Sequence, residues 1–218
     1  MRRTLLLIAS CVCAASLCCA VSLSAEEIKL LLLPKPQVSG GRPLMQVLKD
    51  RSSSRSFSPA KIPVPMLSNL LWAANGINRP DIGKRTAPSA MNKQEIDIYV
   101  STAEGLYLYE AASHSLKLII PEDLRALTGQ QDFAKEAPVN LIYVADLSRM
   151  GKASKEDAEL YSAADTGFIS QNVYLYCASE GLATVVRGSI DRQTLAKTLK
   201  LRPDQKIILA QSVGYPKK

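Results

Sequence analysis

The sequence is poor in the residues and motifs from which common catalytic sites are built. Its 218 residues include one histidine, His114, one tryptophan and only 6% aromatic residues. A second histidine that would complete a histidine-based metal site is absent. Glycine-rich dinucleotide and phosphate loops are absent too, as are the paired CxxC, HExxH and GxSxG patterns. These absences argue against a Rossmann dehydrogenase, a nucleoside triphosphatase, a zinc enzyme and a serine hydrolase.

Cysteine is also scarce once the positions are considered. Four of the five cysteines, Cys11, Cys13, Cys18 and Cys19, lie near the start, so Cys177 stands alone in the remainder. A domain with one cysteine forms no intramolecular disulfide, and we expect Cys177 to be buried and structural. The net charge is +7, but blocks of Lys and Arg with interleaved aromatics are missing, so nucleic-acid binding is not indicated.

Residues 1–25 are predicted to be a secretory signal peptide. Arg2 and Arg3 provide a positive start, an apolar run follows from Leu5 to Val21, and small residues precede Glu26. An uncleaved membrane anchor is the alternative, although the run is slightly short for a membrane span. The arginine pair also weakly resembles a twin-arginine signal, which exports folded proteins. Cleavage would leave about 193 residues with a net charge of +5, and we expect a periplasmic or secreted protein without stable membrane insertion.

The rest of the chain is predicted to form one domain, residues 43–218, after an extended lead-in at residues 26–42. Apolar residues recur with helical spacing in some segments and with strand spacing in others, and the two kinds of segment alternate along the chain. This pattern favours a layered sheet with helices but does not fix the strand order. The predicted helices are 43–48, 65–74, 123–127, 131–136, 154–180 and 194–199. The predicted strands are 96–100, 106–109, 116–119, 139–145, 183–187 and 206–213, and residues 78–92 are predicted to be a long loop.

Three segments carry groups suited to ligand binding. In the first, Arg51 and Arg55 flank three serines, and guanidinium forks with hydroxyls match phosphate oxygens; a solvated linker is the alternative. The second, Thr86–Gln94, offers hydroxyl and amide side chains that can read the edge of a heterocycle or simply cap a loop. The third, Gly181–Gly188, ends a strand in glycine, which lets backbone approach a flat ligand or merely turns the chain. His114 falls in a predicted hairpin turn, where a catalytic role is the less favoured interpretation.

Taken together and in this order, these segments resemble the nitroreductase-like superfamily of FMN-dependent oxidoreductases. The matching stretches, which span nearly the whole predicted domain, are Asp50–Phe57, Ala87–Gln94, Ala137–Val144, Asp165–Asn172, Gly181–Leu182 and Val213–Pro216. The chain looks most like the compact branch related to azoline oxidases. The adjacent Lys-Tyr pair of that branch is absent here, which argues against azole formation and favours a general reductase.

The resemblance implies a role for each matching position. The residues implied to hold the FMN phosphate and ribityl chain are Arg51, Ser52, Ser53 and Arg55. Asn92, with Ser89 and Gln94 nearby, is implied to contact the isoalloxazine, and Val186, Arg187 and Gly188 are implied to line the ring near N5. A basic residue beyond the last strand usually closes the phosphate site, and only Lys217 and Lys218 follow that strand here. The chemistry is implied to be flavin-centred, with no catalytic side chain and no metal.

The resemblance also implies architecture and mechanism. The expected fold is α+β, with three layers and a central mixed or antiparallel sheet flanked by helices. The expected assembly is an intertwined homodimer that binds FMN at the subunit interface. One face of the longest predicted helix, which is rich in small residues and includes Ala164, Gly167, Gln171 and Tyr174, is compatible with such a contact. The expected reaction is ping-pong two-electron transfer through flavin N5, from a donor such as NAD(P)H to a small organic acceptor. The alternative is a flavin-free or merely flavin-binding periplasmic interaction protein on the same fold.

Overall fold

This computed structural model describes residues 30–217, so the predicted signal peptide lies outside the described residues. The helices are α1 (Leu44–Asp50), α2 (Val64–Asn75), α3 (Phe133–Glu136), α4 (Lys155–Glu180) and α5 (Arg192–Thr198). The strands are β1 (Leu30–Leu32), β2 (Ile77–Arg79), β3 (Lys84–Arg85), β4 (Ile96–Thr102), β5 (Gly105–Glu110), β6 (Ser115–Ile120), β7 (Val139–Asp146), β8 (Ala183–Arg187) and β9 (Gln205–Gly214). Within residues 30–217, no helix combines the length and apolar character that crossing a bilayer requires.

Helix α4 is the longest element, and its two ends follow from two residues. The Ser154 hydroxyl accepts a hydrogen bond from the Asp157 amide at 3.0 Å, which caps the first turn. Gly181 ends the helix with φ of +71°, in the left-handed region that favours glycine. The sequence-based prediction for this helix is therefore confirmed to within one residue.

Seven strands form one sheet in the order β1-β6-β5-β4-β7-β9-β8, and every described pair of neighbours is antiparallel. Strand β7 lies in the interior of the sheet and is buried along its whole length. Strand β8 is at one edge, so half of its backbone groups are free to meet other segments. The sheet is antiparallel rather than mixed, within the range that the sequence analysis allowed.

Helices cover both faces of the sheet and complete three layers. One core joins α2 and α4 to residues of β4, β7 and β9, among them Leu70, Val173 and Leu141. A second core on the opposite face places Leu195 of α5 against Ile142. The predicted α+β layered fold is confirmed.

Two local differences from the sequence-based expectation have simple causes. The predicted loop at residues 78–92 contains a small hairpin of β2 and β3, because Gly83 adopts φ of +61° and turns the chain back. The predicted helix at residues 123–127 is a single 3-10 turn at Arg125–Thr128. Cys177 is fully buried, as expected, and burial raises the pKa of its thiol.

Candidate functional site

The segment from Arg51 to Phe57 lies along the free edge of β8. The Arg51 amide donates to the Val47 carbonyl at 2.8 Å and ends α1. The Ser54 amide donates to the Thr184 carbonyl of β8 at 2.9 Å. Phe57, 2% exposed, anchors the far end of the segment in a small core against β8. The predicted phosphate-binding segment is therefore held in place by the sheet and is not a free linker.

Tyr174 of α4 is the point where three predicted site residues meet. The guanidinium carbon of Arg51 lies 5.3 Å from the centre of the Tyr174 ring, within the range of a cation–π contact. The Ser53 and Tyr174 hydroxyl oxygens are 2.9 Å apart. The Val186 amide on the β8 edge donates to the same Tyr174 hydroxyl at 2.9 Å. The structure thus brings the first and third predicted segments together.

Tyr174 itself is a site residue that sequence reasoning missed. Its helical spacing placed it with Ala164, Gly167 and Gln171 on a candidate helix-contact face. Those three residues are exposed, whereas Tyr174 is half-buried against β8. The spacing of residues along the sequence identifies the helix face. It does not show that the Tyr174 side chain, at the border of that face, reaches the edge of β8.

The C-terminal residues lie against the same segment. The Lys217 amide faces the Ser56 carbonyl at 3.4 Å, and the Ser58 amide donates to the Tyr215 carbonyl at 2.9 Å. Lys217 is exposed, and so are Ser52 and Arg55. Neither Arg51 nor Arg55 forms an ion pair with an acidic residue of the described chain. Positive charge is therefore concentrated and uncompensated at this edge of the sheet.

The second predicted segment forms a tight loop with unusual backbone geometry. Met91, Asn92 and Gln94 have φ of +50°, +55° and +50°, in the left-handed region that side chains disfavour. The Gln94 backbone amide donates to the Ser89 hydroxyl at 3.0 Å and closes the loop. The Ala90 amide donates to Asp165 Oδ2 at 2.8 Å, which fastens the loop to α4.

The side chain of Gln94 is used within this loop. Its Nε2 donates to the Gly83 carbonyl at 3.0 Å and to Asn92 Oδ1 at 3.2 Å, and its Oε1 accepts from Arg85 Nε at 2.8 Å. Asn92 stays exposed. The structure therefore gives Gln94 a supporting position and leaves Asn92 as the amide available to a ligand.

The loop and the Tyr174 cluster do not touch each other within one chain. Both are attached to α4, at Asp165 and Tyr174, which are separated by about 14 Å along the helix axis and by about half a turn around it. The structure thus places the two parts of the candidate site on opposite sides of α4.

The Arg187 side chain points away from Tyr174, and the role that the resemblance implies for Arg187 at the flavin ring stays a prediction. Val186 and Arg187 are neighbours on a strand, so their side chains point to opposite faces of the sheet. The Arg187 side chain is buried, donating through Nε to Ser212 Oγ at 3.0 Å and through Nη2 to Thr128 Oγ1 at 2.9 Å; further bonds reach the Thr128 carbonyl and Asn140 Oδ1.

Burial lowers the pKa of the Arg187 guanidinium to about 10. The Arg187 side chain therefore stabilises the protein interior, and the sheet separates it from the Tyr174 cluster. Gly188, by contrast, is exposed just beyond β8, with its carbonyl accepting from Arg192 at 3.1 Å.

His114 has a structural environment. Its Nε2 lies 2.7 Å from the Ser68 hydroxyl, and its Nδ1 lies 3.0 Å from the Tyr109 hydroxyl. Burial lowers the pKa of the ring. These contacts join the β5–β6 turn to α2 and involve none of the predicted site residues.

Comparison with known proteins identifies the family. The Nitroreductase family model matches residues 48–215. A protein of Methanocaldococcus jannaschii whose name assigns it to the nitroreductases is 31% identical over 169 residues, covering 73% of this chain and 85% of its own. A crystal structure from Ralstonia eutropha JMP134, also named as a nitroreductase, is 43% identical with a TM-score of 0.83, covering 87% of this chain and 90% of its own.

A more distant structure shares the fold and was solved with a ligand. It is a nitroreductase-type protein from Desulfovibrio desulfuricans in complex with FMN. It is 20% identical, has a TM-score of 0.60, and the match covers 82% of this chain and 89% of that chain. From the family match and its relatives we conclude that the chain belongs to the nitroreductase family.

Proposed function

We propose that this protein is an exported FMN-dependent oxidoreductase of the nitroreductase type. The observation that carries the proposal is the convergence of Arg51, Ser53 and the Val186 amide at Tyr174, on a free sheet edge. Arg51 and Arg55, which have no acidic partners, and the exposed serine hydroxyls beside them are what a phosphate and a polyol chain require, whereas the Val186 amide is already bonded to Tyr174. A family relative with the same fold was crystallised with FMN, and this supports the choice of ligand.

The residues present fit FMN by their chemistry. Arg51, Arg55 and Lys217 would hold the phosphate, with the Ser52 and Ser53 hydroxyls near the ribityl chain. Asn92 would read the polar edge of the ring system, because an amide both donates and accepts. The backbone at Val186–Gly188 would border the ring.

When bound, FMN would supply two-electron transfer, in ping-pong order, from NAD(P)H or another donor to a small organic acceptor. Given a cofactor that carries the reaction, this chain needs no acid–base pair of its own, and none lies in the Tyr174 cluster. The task of its residues is to bind the phosphate and orient the ring.

The visible spectrum of the purified protein tests this proposal. We expect flavin absorbance in the wild type and its loss in the Arg51→Ala/Arg55→Ala variant, with FMN affinity reduced at least tenfold because two charge-assisted contacts are removed. Lys35→Ala/Lys197→Ala removes the same charge at exposed positions and should keep the flavin. Colourless wild-type protein that added FMN cannot restore would refute the proposal.

A flavin-free binding protein on the same fold is the second candidate. The side chains of Gln94 and Arg187 favour this candidate. Both residues are predicted to lie at the flavin, but their side chains form hydrogen bonds within the protein. The spectral experiment decides between the two candidates. Binding of another ligand of similar size, without affinity for FMN, would support the flavin-free binding protein.

We also propose that the protein is a homodimer in which a second copy completes the site. Exposed apolar side chains are grouped on α1 and α4: Leu44, Met45, Leu48, Leu160 and Phe168. Apolar groups of this size on a surface are typical of an interface. A helix of the second copy packed against α4 would also bring side chains of that copy between the Ser89–Gln94 loop and the Tyr174 cluster.

Export is proposed from residues 1–25 and has its own test. We expect a fusion of residues 1–30 to a reporter to be delivered outside the cytoplasm. If the twin-arginine route is used, changing Arg2 and Arg3 to lysine abolishes delivery. Delivery that persists in that variant contradicts the twin-arginine route and points to a general secretory signal, whereas a fusion that stays inside contradicts export.

A further inference from the structure

A buried carboxyl pair supports the Ser89–Gln94 loop. Glu95 follows the loop directly, is fully buried, and neither of its carboxyl oxygens has a hydrogen-bond donor among the described residues. Asp165 of α4 lies beside it and is 3% exposed. Asp165 is also the residue whose Oδ2 accepts the Ala90 amide of the loop.

Two buried carboxyl groups in contact do not both ionise, because neither charge is solvated and each repels the other. Burial raises the pKa of the Glu95 carboxyl, and the neighbouring Asp165 raises it further. A proton held on Glu95 can bridge the two carboxyl groups while Asp165 Oδ2 accepts from the Ala90 amide.

The other groups around Glu95 do not neutralise it. The Ser162 hydroxyl on α4 faces Glu95 and lowers its pKa, but by less than Asp165 raises it. The hydroxyls of Ser162 and Thr166 are both buried, and neither has a hydrogen-bond partner within the described chain. From β3, Arg85 bonds to Gln94 and to the Asn75 carbonyl. Arg149, after β7, bonds to Asp97 and to the Gln94 carbonyl. Asp165 is thus the charged residue with the largest effect on the Glu95 carboxyl.

We propose that Glu95 is a positioning residue: one proton shared with Asp165 holds the Ser89–Gln94 loop in its binding conformation, and loss of that proton releases the loop. Three left-handed residues make the loop costly to maintain, so an external tie is required. The consequence for the ligand rests on the proposed function, because it assumes that Asn92 contacts FMN. The site would then lose affinity as pH rises.

The first test compares the pH dependence of FMN affinity. FMN dissociation constants are measured by flavin fluorescence from pH 5 to 9 for the wild type, Glu95→Gln and the exposed control Glu122→Gln. Glutamine keeps a donor toward Asp165 but cannot ionise. We expect the wild-type and control dissociation constants to rise with pH, by up to tenfold per pH unit above the Glu95 pKa, and that of Glu95→Gln to show no such rise. Parallel curves for all three proteins would overturn the proposal.

The second test needs no flavin and so separates the two proposals. Below about pH 4.5, the ordinary value, Glu95 is protonated in both folded and unfolded chains. Above it, the unfolded chain releases the proton while the folded chain keeps it, so stability falls until the folded-state pKa is passed. Relative to Glu95→Gln, the wild-type unfolding equilibrium constant should rise by up to tenfold per pH unit in that window.

Hydrogen exchange of the Ala90 amide completes this test. Glu95→Gln should keep the amide protected at pH 9, whereas Glu95→Leu, which fills similar space without a donor, should lose protection at every pH. Equal protection in both variants would show that Glu95 only fills space. If FMN binds at no pH, the proposed function fails, while the unfolding and exchange results still decide the role of Glu95.

Discussion

Replacing Arg187 with alanine is expected to lower the free energy of unfolding by about 3 to 5 kcal/mol. The substitution removes a buried side chain that donates to Thr128, Asn140 and Ser212. The Thr128 carbonyl and the Ser212 hydroxyl oxygen lose that donor, whereas Asn140 Oδ1 still accepts from the Ser212 hydroxyl. A cavity remains as well. A Cβ on Gly129 would lie 2.0 Å from Arg187 Nη1, so the guanidinium fills space beside that residue.

Urea unfolding of Arg187→Ala and of Arg79→Ala, an exposed control, measures the effect. The control should change by less than about 0.5 kcal/mol. The flavin spectrum of folded Arg187→Ala is the second readout, and we expect it to be retained below the unfolding transition. Unchanged stability with loss of flavin would instead assign Arg187 to the ligand, as the family resemblance implied.

Replacing Gly167 with leucine is expected to convert a dimer into a monomer. A Cβ at Gly167 meets nothing within 4 Å in its own chain, so a larger side chain causes no internal clash. Removing a helix-interior glycine should even stabilise the single chain by about 0.8 kcal/mol. A second copy packed against this face of α4 would meet the new side chain directly.

Sedimentation velocity measures the assembly, with Gln193→Leu on the exposed face of α5 as the matched control. We expect the control to stay dimeric and Gly167→Leu to be monomeric, with raised thermal stability of the monomer and weakened FMN affinity. A Gly167→Leu protein that remains dimeric would exclude this face of α4 from the interface.

Helix α4 could be predicted from the sequence because each of its ends depends on a residue with a local conformational role. Ser154 and Gly181 delimit α4 by capping and by left-handed backbone, whatever else surrounds them. Strands β4 to β9 likewise follow from the pattern of apolar residues, whereas β1, β2 and β3 were not predicted. The position of Cys177 on the buried side of α4 was predictable for the same reason.

The directions of individual polar side chains could not be predicted in this way. Alternation shows that Val186 and Arg187 face opposite sides of the sheet, but not which side holds a ligand and which an interior cavity. Glu95 and Asp165 are far apart in sequence and meet only because α4 packs over β4. A single sequence contains no local signal for such a pair.

The position of β9 has a consequence for the order in which the protein is made. This strand, the last of the described strands in sequence, lies between β7 and β8 and is the only described strand that pairs with β8. On the ribosome, β8 and the Arg51–Phe57 segment that rests on it therefore have no sheet to join until residues 205–217 have been translated. A binding segment encoded near the start of the domain is therefore completed only after β9, at the other end of the domain, has left the exit tunnel.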